Sequence, residues 1–251
     1  MKSRLLPLLI VACFTTSASA SLVAHFSFDD ENDLGANTGS VNTTWNSFNN
    51  VDLIPEGRFG SAASFVANSS QAWDNSFSVA NLQSFSLSMH VRTTQTTAWR
   101  DFISIGTGNN VVFVLEQTGA SGISVFNIGG VGGTTEGQVG YNPGSETWAV
   151  NDGQWHHLGI TVGGGTITLY VNGINRDSAS YSGTGAISAF QLASRFGDGG
   201  RSITTDLDDI GIFNTTLSDS DMAWLSQNAI PEPATALLSL IGIAALMRRR
   251  R

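Results

Sequence analysis

Trp155-His156-His157-Leu158-Gly159-Ile160-Thr161-Val162, then Gly163-Gly164-Gly165, then Ile167-Thr168-Leu169-Tyr170-Val171 followed by Asn172-Gly173, is the stretch that decides the fold. Two short runs rich in β-branched residues are joined by glycines that permit positive φ, and Asn-Gly opens a second tight turn. The segment reads as consecutive hairpins. Alternation places Leu158, Ile160 and Val162 on one face with His156, and Trp155, His157 and Thr161 on the other. Runs of the same kind recur at 22–28, 84–92, 102–105, 111–115, 123–128, 187–192 and 207–213, separated by Gly, Ser, Thr and Asn. About ten strands suffice for two packed sheets, and helical patterning is nearly absent. One helix is predicted at the end of this region, with its N-cap at Ser218, Met222 and Leu225 facing inward and Trp224 nearby.

The termini carry different signals. Met1-Lys2-Ser3-Arg4, the apolar 5–14 and Ala18-Ser19-Ala20 predict a signal peptide over 1–20. Ile10-Val11-Ala12-Cys13 is a competing lipoprotein box that would lipidate Cys13. Cys13 is the only cysteine, so a chain cut after Ala20 has no disulfide, zinc-thiolate site or cysteine nucleophile. At the other end, Pro231-Glu232-Pro233 precedes an apolar run, 234–247, and Arg248-Arg249-Arg250-Arg251. That run predicts a short transmembrane helix whose arginines fix its cytoplasmic end. The three-part terminus resembles the PEP-CTERM sorting domain (230–251), and the resemblance implies processing by exosortase in a Gram-negative bacterium. An ordinary membrane anchor is the alternative. The implied route is export, residence in the inner membrane, then the cell surface or extracellular matrix.

The chain carries a formal charge of −8, but residues 21–230 hold six arginines, no lysine and nineteen acidic residues, a net −13. Such a surface disfavours nucleic acid, whose binding depends on neutralising phosphates. It favours divalent cations.

Residues 21–229 read as one domain without an internal linker. Their ordered segments are 22–30, 57–65, 85–92, 152–158, Leu169-Tyr170-Val171-Asn172-Gly173, and Asp206-Leu207-Asp208-Asp209-Ile210-Gly211-Ile212-Phe213 running on to Ser218. Together they resemble the laminin G-like, concanavalin A-like jelly-roll β-sandwich. The fold class expected is therefore all-β. The resemblance implies a glycan-binding or adhesive module, often with a structural calcium, and a fold shared with some glycoside hydrolases.

Glycosidic hydrolysis needs two carboxylates about 5–10 Å apart. The related laminarinase-type strand motif, Glu-x-Asp-x-(x)-Glu, is not reproduced by Asp206-Leu207-Asp208-Asp209-Ile210-Gly211, and Glu116, Glu136 and Glu146 stand without partners at a recognisable spacing. The expectation is a protein that is not an enzyme. His156 and His157 point to opposite faces, and His25 and His90 are isolated, so all four are read as core or sheet-face residues. Asp29 and Asp30 after the first strand, with Asp206, Asp208 and Asp209 on the last, form a candidate calcium (Ca2+) site. Alternation would place Asp208 with Ile210 and Ile212, where a buried carboxylate needs a cation or backbone donors. A solvated acidic loop is the alternative reading. For a polysaccharide or other glycan ligand, the aromatic platforms proposed are Trp73, Trp99, Tyr141 and Trp148, with Trp45 and Tyr181 in similar polar contexts. The function expected is carbohydrate or exopolysaccharide binding, with a structural or adhesive surface protein that binds other proteins, and then a diverged glycoside hydrolase, as the alternatives.

Overall fold

A computed structural model describes residues 22–43, 45–75, 83–107, 110–118, 123–129, 135–139, 149–180, 187–195 and 199–231. In chain order the strands are β1 (Leu22–Phe26), β2 (Ser47–Asn49), β3 (Asp52–Ile54), β4 (Ala62–Phe65), β5 (Gln71–Asp74), β6 (Phe85–Arg92), β7 (Arg100–Thr107) and β8 (Asn110–Thr118). They continue with β9 (Ile123–Gly129), β10 (Thr135–Val139), β11 (His156–Gly163), β12 (Thr166–Val171), β13 (Ile174–Ser180), β14 (Ala189–Leu192) and β15 (Thr205–Phe213), and α1 (Asp219–Leu225) closes the sequence.

These strands make two antiparallel sheets. The first runs β13-β12-β11-β6-β15-β4-β3, with β1 also paired to β15, and the second runs β10-β9-β8-β7-β14-β5-β2. The deciding hairpin forms as its residues require. Gly164 (φ 59°) and Gly165 (φ 78°) turn β11 into β12, and Asn172 (φ 53°) with Gly173 (φ 75°) turns β12 into β13. Leu158, Ile160 and Val162 enter the core between the sheets with Leu87, Met89, Phe102, Phe190 and Ile212. The expected all-β jelly-roll sandwich is the observed architecture.

Two details change the sequence reading. Trp45 is not a platform for a ligand: its ring packs 5.1 Å from Phe26 and 5.1 Å from Phe190, and its Nε1–H donates to the Gly35 carbonyl. Such aromatic pairs add about 0.5–1.5 kcal/mol beyond area burial, so the indole belongs to the core. Asp208 does not share a face with Ile210 and Ile212. A bulge between Asp208 and Gly211, with Asp209 at φ 49°, shifts the register so that Leu207, Ile210 and Ile212 all reach the core and both aspartates leave it. At the same place β15 exchanges its partner β4 for β1.

The helix covers the outer face of the first sheet. Ser218 caps it by a capping box with Asp221. Met222 and Leu225 pack with Tyr170, Phe213, Leu217 and Ile230, while Trp224 stays 46% exposed. Gly159 allows this seating, because a Cβ there would lie 2.9 Å from the Met222 sulfur. Among the described residues no helix is long and apolar enough to cross a membrane. The expected signal peptide over 1–20, including Cys13, and the apolar run 234–247 lie outside the described residues.

Candidate functional site

At one end of the sandwich three loops are stitched together. They are residues 93–99 after β6, residues 149–155 before β11, and residues 202–204 before β15. The Thr93 hydroxyl donates to the Thr204 carbonyl, the Thr205 hydroxyl to the Arg92 carbonyl, and the Gly153 N–H to the Thr93 carbonyl. The Gln95 side-chain oxygen accepts from the Thr204 N–H, and the Gln117 amide in turn donates to the Gln95 carbonyl. Gly153 makes its turn at φ 78°, a conformation that a side chain would strain. These bonds satisfy loop backbone that would otherwise need water.

The stitched loops border an open cavity of about 280 Å³ lined by Arg92, Thr93, Thr94, Gly153, Thr204, Thr205 and Asp206. Arg92 and Asp206 lie opposite each other on β6 and β15, and Arg92 Nε donates to Asp206 Oδ2 at 2.8 Å. The guanidinium lies 4.8 Å from the centroid of the Trp155 ring. Both side chains of the pair keep about a fifth to a quarter of their surface exposed. Asp206, expected among calcium ligands, is therefore held by arginine.

Around the corner, on the second sheet, Trp99 sits at φ 59° and is 44% exposed, with the Arg201 guanidinium 5.7 Å from its ring centroid. Behind it, Asp101 on β7 and Glu116 on β8 stand opposite each other in the strand register, fully buried. Arg195 donates from Nε to Asp101 Oδ2 at 2.6 Å and from Nη2 to Glu116 Oε2 at 3.0 Å. Arg201 approaches the same Glu116 oxygen at 3.7 Å. Burial, and then the charge of Asp101, push the Glu116 carboxyl up to about 7. Burial also raises Asp101, against the opposing pull of Arg195. The two acids face each other in the strand register and are covered by arginine. Glu116 thus has the partner that its local sequence does not display, because Asp101 and Arg195 arrive from other strands.

The remaining platforms divide. Trp73 lies on β5 opposite Gln191, half-buried on the side away from core residue Ala72. Tyr141, Trp148 and Tyr181 lie outside the described residues.

The five expected calcium ligands do not converge. Asp206 pairs with Arg92. Asp209 Oδ1 accepts from the His25 Nε2–H at 2.8 Å and Oδ2 from the Ile230 N–H at 2.9 Å. Asp30 accepts from the Asn32 N–H within its own turn. Only Asp29 and Asp208 address a common loop: Asp29 Oδ1 accepts from the Ser61 N–H and Asp208 Oδ2 from the Phe59 N–H, both at 2.8 Å. Burial pushes Asp208 up to about 8, and its Oδ1 has no hydrogen-bond partner. Among the described residues no group of three or more His, Cys, Asp or Glu side chains could hold a metal ion.

The histidines take the packing roles expected. His25 is buried between Thr38 and Asp209, and His90 and His157 lie buried beneath α1 with ring centroids 5.2 Å apart. Burial lowers His90 to about 4 and His157 to about 3. His156 remains at the rim, where Asp152 and Asn172 bond its ring nitrogens. Of the sorting residues, Pro231 is described and exposed, while Glu232, Pro233 and Arg248, Arg249, Arg250 and Arg251 lie outside the described residues.

Two antiparallel sheets facing across one core, with polar constellations on the end loops, define a lectin-like sandwich. A laminin G-like family profile, described as the concanavalin A-like lectin/glucanases superfamily, matches residues 65–223, more than half of the chain, and the chain belongs to that superfamily. No curated protein matches the sequence. Among solved structures the fold is similar to domain 4 of AbnA, a GH43 extracellular arabinanase from Geobacillus stearothermophilus, in complex with arabinotriose. That match has a TM-score of 0.61 at 23% identity and covers 83% of this chain and 99% of that one. The binding domain of Paraclostridial Mosquitocidal Protein 1 matches with a TM-score of 0.64 at 17% identity, over 82% of this chain and 52% of that one. The binding domain of botulinum neurotoxin DC, in complex with SialylT, matches at 0.60 and 16% identity, over 83% and 51%. The chain spans about half the length of these two toxin domains. At such identities the likeness is one of fold.

Proposed function

We propose that this chain is an exported, non-catalytic surface or matrix protein whose sandwich binds carbohydrate through its loop end. The observation that carries this reading is Trp99. Its indole is left 44% exposed at a positive φ beside the Arg201 guanidinium, whereas Trp45 packs partly buried against the core rings of Phe26 and Phe190. An exposed aromatic with adjacent charged donors is the usual stacking platform for a sugar ring. The arabinotriose and SialylT complexes of proteins with this fold support the same class of ligand. The burial of Asp101 and Glu116, both held by Arg195, supports a binding role over hydrolysis. Trp99→Ala should weaken binding of extracted bacterial exopolysaccharide about tenfold or more without unfolding the protein, since loss of one stacked aromatic costs on the order of 1–3 kcal/mol. Equal binding by the variant would sink the assignment to Trp99.

Sorting belongs to the same reading. Export through the signal peptide, retention in the inner membrane by 234–247 and processing by exosortase at Pro231-Glu232-Pro233 would deliver the domain to the surface or matrix of a Gram-negative bacterium. Replacing that tripeptide by alanines should leave an unprocessed, membrane-retained chain; an unchanged mature mass and location would leave a plain anchor. Calcium enters the proposal only through Asp29 and Asp208, the two of the five carboxylates that face one loop. Calcium added back to chelated protein would raise Tm if held there, and an unchanged Tm would remove it.

A further inference from the structure

Neither Trp99 nor Arg201 lines the cavity at Arg92 and Asp206. Its polar equipment is unusual for a surface crevice. Arg92 uses Nε on Asp206, so its two terminal nitrogens point donors elsewhere, and Asp206 uses Oδ2 on Arg92, so Oδ1 remains an open acceptor. Among the described residues neither set of atoms has a protein partner. Thr94 adds an exposed hydroxyl without a partner, and Gly153 contributes backbone where a side chain would crowd Thr94. Trp155 is occupied in a particular way. Its ring lies against the guanidinium, so it fixes the orientation of Arg92 and is not the stacking surface of this cavity.

We propose that this cavity is a binding subsite for the vicinal diol of a neutral sugar residue, an assignment that rests on the carbohydrate reading above. The chemistry follows from the pair. One hydroxyl of a diol accepts from the Arg92 terminal N–H groups while its neighbour donates to Asp206 Oδ1, so the ligand completes a donor and acceptor set that the ion pair leaves half used. The cavity contributes one positive and one negative side chain and is therefore neutral. Asp152, 54% exposed beside Gly153, adds a negative charge at its rim. A uronic acid would bring a second carboxylate to a guanidinium already paired, next to that rim charge and in a domain of net −13. Neutral hexoses or pentoses are selected, and anionic sugars are rejected by like charge.

The test uses the full chain in a detergent that carries no sugar. Arabinotriose, glucose and galactose are compared with glucuronic and galacturonic acid by saturation-transfer NMR and calorimetry at about 10 mM, where a millimolar site is mostly occupied. Neutral sugars should bind and the uronic acids should bind about tenfold more weakly or not at all. Asp206→Asn should lose about tenfold or more in affinity, as expected when a charge-assisted hydrogen bond is removed. Because that change also disturbs Arg92, Thr94→Val is the second variant: it leaves the ion pair intact and should weaken binding several-fold at an unchanged Tm. Uronic acids bound as well as neutral sugars would overturn the subsite. So would both variants binding like the wild type while Trp99→Ala fails, an outcome that leaves the carbohydrate reading standing on Trp99 alone. If the wild-type chain binds none of the probes, the subsite is overturned, and the carbohydrate reading stands or falls separately on exopolysaccharide binding.

Discussion

The outer faces of the two sheets both bury ionisable groups, and they close over them in opposite ways. On the first sheet His90, His157 and Asp209 lie beneath α1 and the segment leading to Ile230, and the cover is apolar: Met222, Leu225 and Ile230 over Phe213 and Tyr170. On the second sheet Asp101 and Glu116 lie beneath Arg195 and Arg201, and the cover is charged. An apolar lid can seat directly on the buried groups, and here it covers His90, His157 and Asp209. A guanidinium lid must keep contact with water, because a fully desolvated charge is costly even when paired. The charged lid therefore sits at the surface and carries Trp99 with it, so the second face has a binding edge where the first has a seam of packing.

The sharpest way to break this comparison is to remove each lid. Arg195→Met would leave two buried carboxylates without their main counter-charge and should cost about 3–5 kcal/mol. That corresponds to a Tm loss on the order of 10 °C for a domain of this size. A loss of only a degree or two in thermal unfolding would show that Asp101 and Glu116 do not depend on it. Met222→Ala removes the centre of the apolar lid and should cost about 2–5 kcal/mol. Gly159→Ala pushes against the same sulfur, but that sulfur is near the end of a flexible side chain, so its cost should be the smaller of the two.

The buried histidines of the first sheet and Glu116 of the second should also answer pH with opposite signs, whereas Asp208, opposite His90, should answer with the sign of Glu116. His90 and His157 are held at about 4 and 3, below the ordinary 6.5, so as pH falls through 6.5 the unfolded chain takes up protons that the fold refuses. Stability is lost from pH 6.5 downward on their account. Glu116, raised from 4.5 to about 7, keeps its proton in the fold longer than in the unfolded chain, so its contribution declines as pH rises through that window. Urea unfolding between pH 4 and pH 8 should show His90→Gln and His157→Gln flattening the acid limb, and Glu116→Gln flattening the upper one. An acid limb unchanged in both histidine variants would mean that the lid opens before they titrate.

How much of this could be read along the chain depends on the range of the interaction. The hairpin of β11 and β12, the long strands β6 and β15, and the helix cap at Ser218 follow from periodicity, glycine conformation and capping, all local effects. Short strands such as Ser47–Asn49 and Asp52–Ile54 carry no alternating signal of their own and exist because Gln71–Asp74 and Ala62–Phe65 pair with them. Trp45 and Trp99 look alike in sequence, each in a polar stretch, yet one fills the gap between Phe26 and Phe190 and the other is left at the rim. The residue that flips Asp208 out of the core is Asp209 at φ 49°, a one-residue bulge that no periodicity argument detects. The partners of Glu116, and the loops that assemble the cavity at Arg92, are distant in sequence and became visible only once the strands were paired.

Asp208 is the place where the contrast between a proton and a cation can be resolved with the smallest change. Its Oδ2 accepts from the Phe59 N–H, its Oδ1 has no partner, and its carboxyl is raised to about 8, burial first and the nearby Asp209 and Asp29 charges adding to it. A raised acid keeps its proton in the fold, so the strain of ionising it appears as pH climbs from about 4 to about 8. Asp208→Asn keeps the oxygen for Phe59 and cannot ionise. If the native group is protonated, the variant should match the wild type near pH 4 and gain on the order of 1 kcal/mol near pH 8, where the wild type carries an uncompensated charge. If calcium bridges Asp29 and Asp208 instead, the same variant should lose stability at pH 8 and lose any response of Tm to added calcium, because a carboxylate ligand has been removed. The two outcomes differ in sign, which makes a pair of melting curves at pH 8, with calcium and with a chelator, sufficient to decide between them.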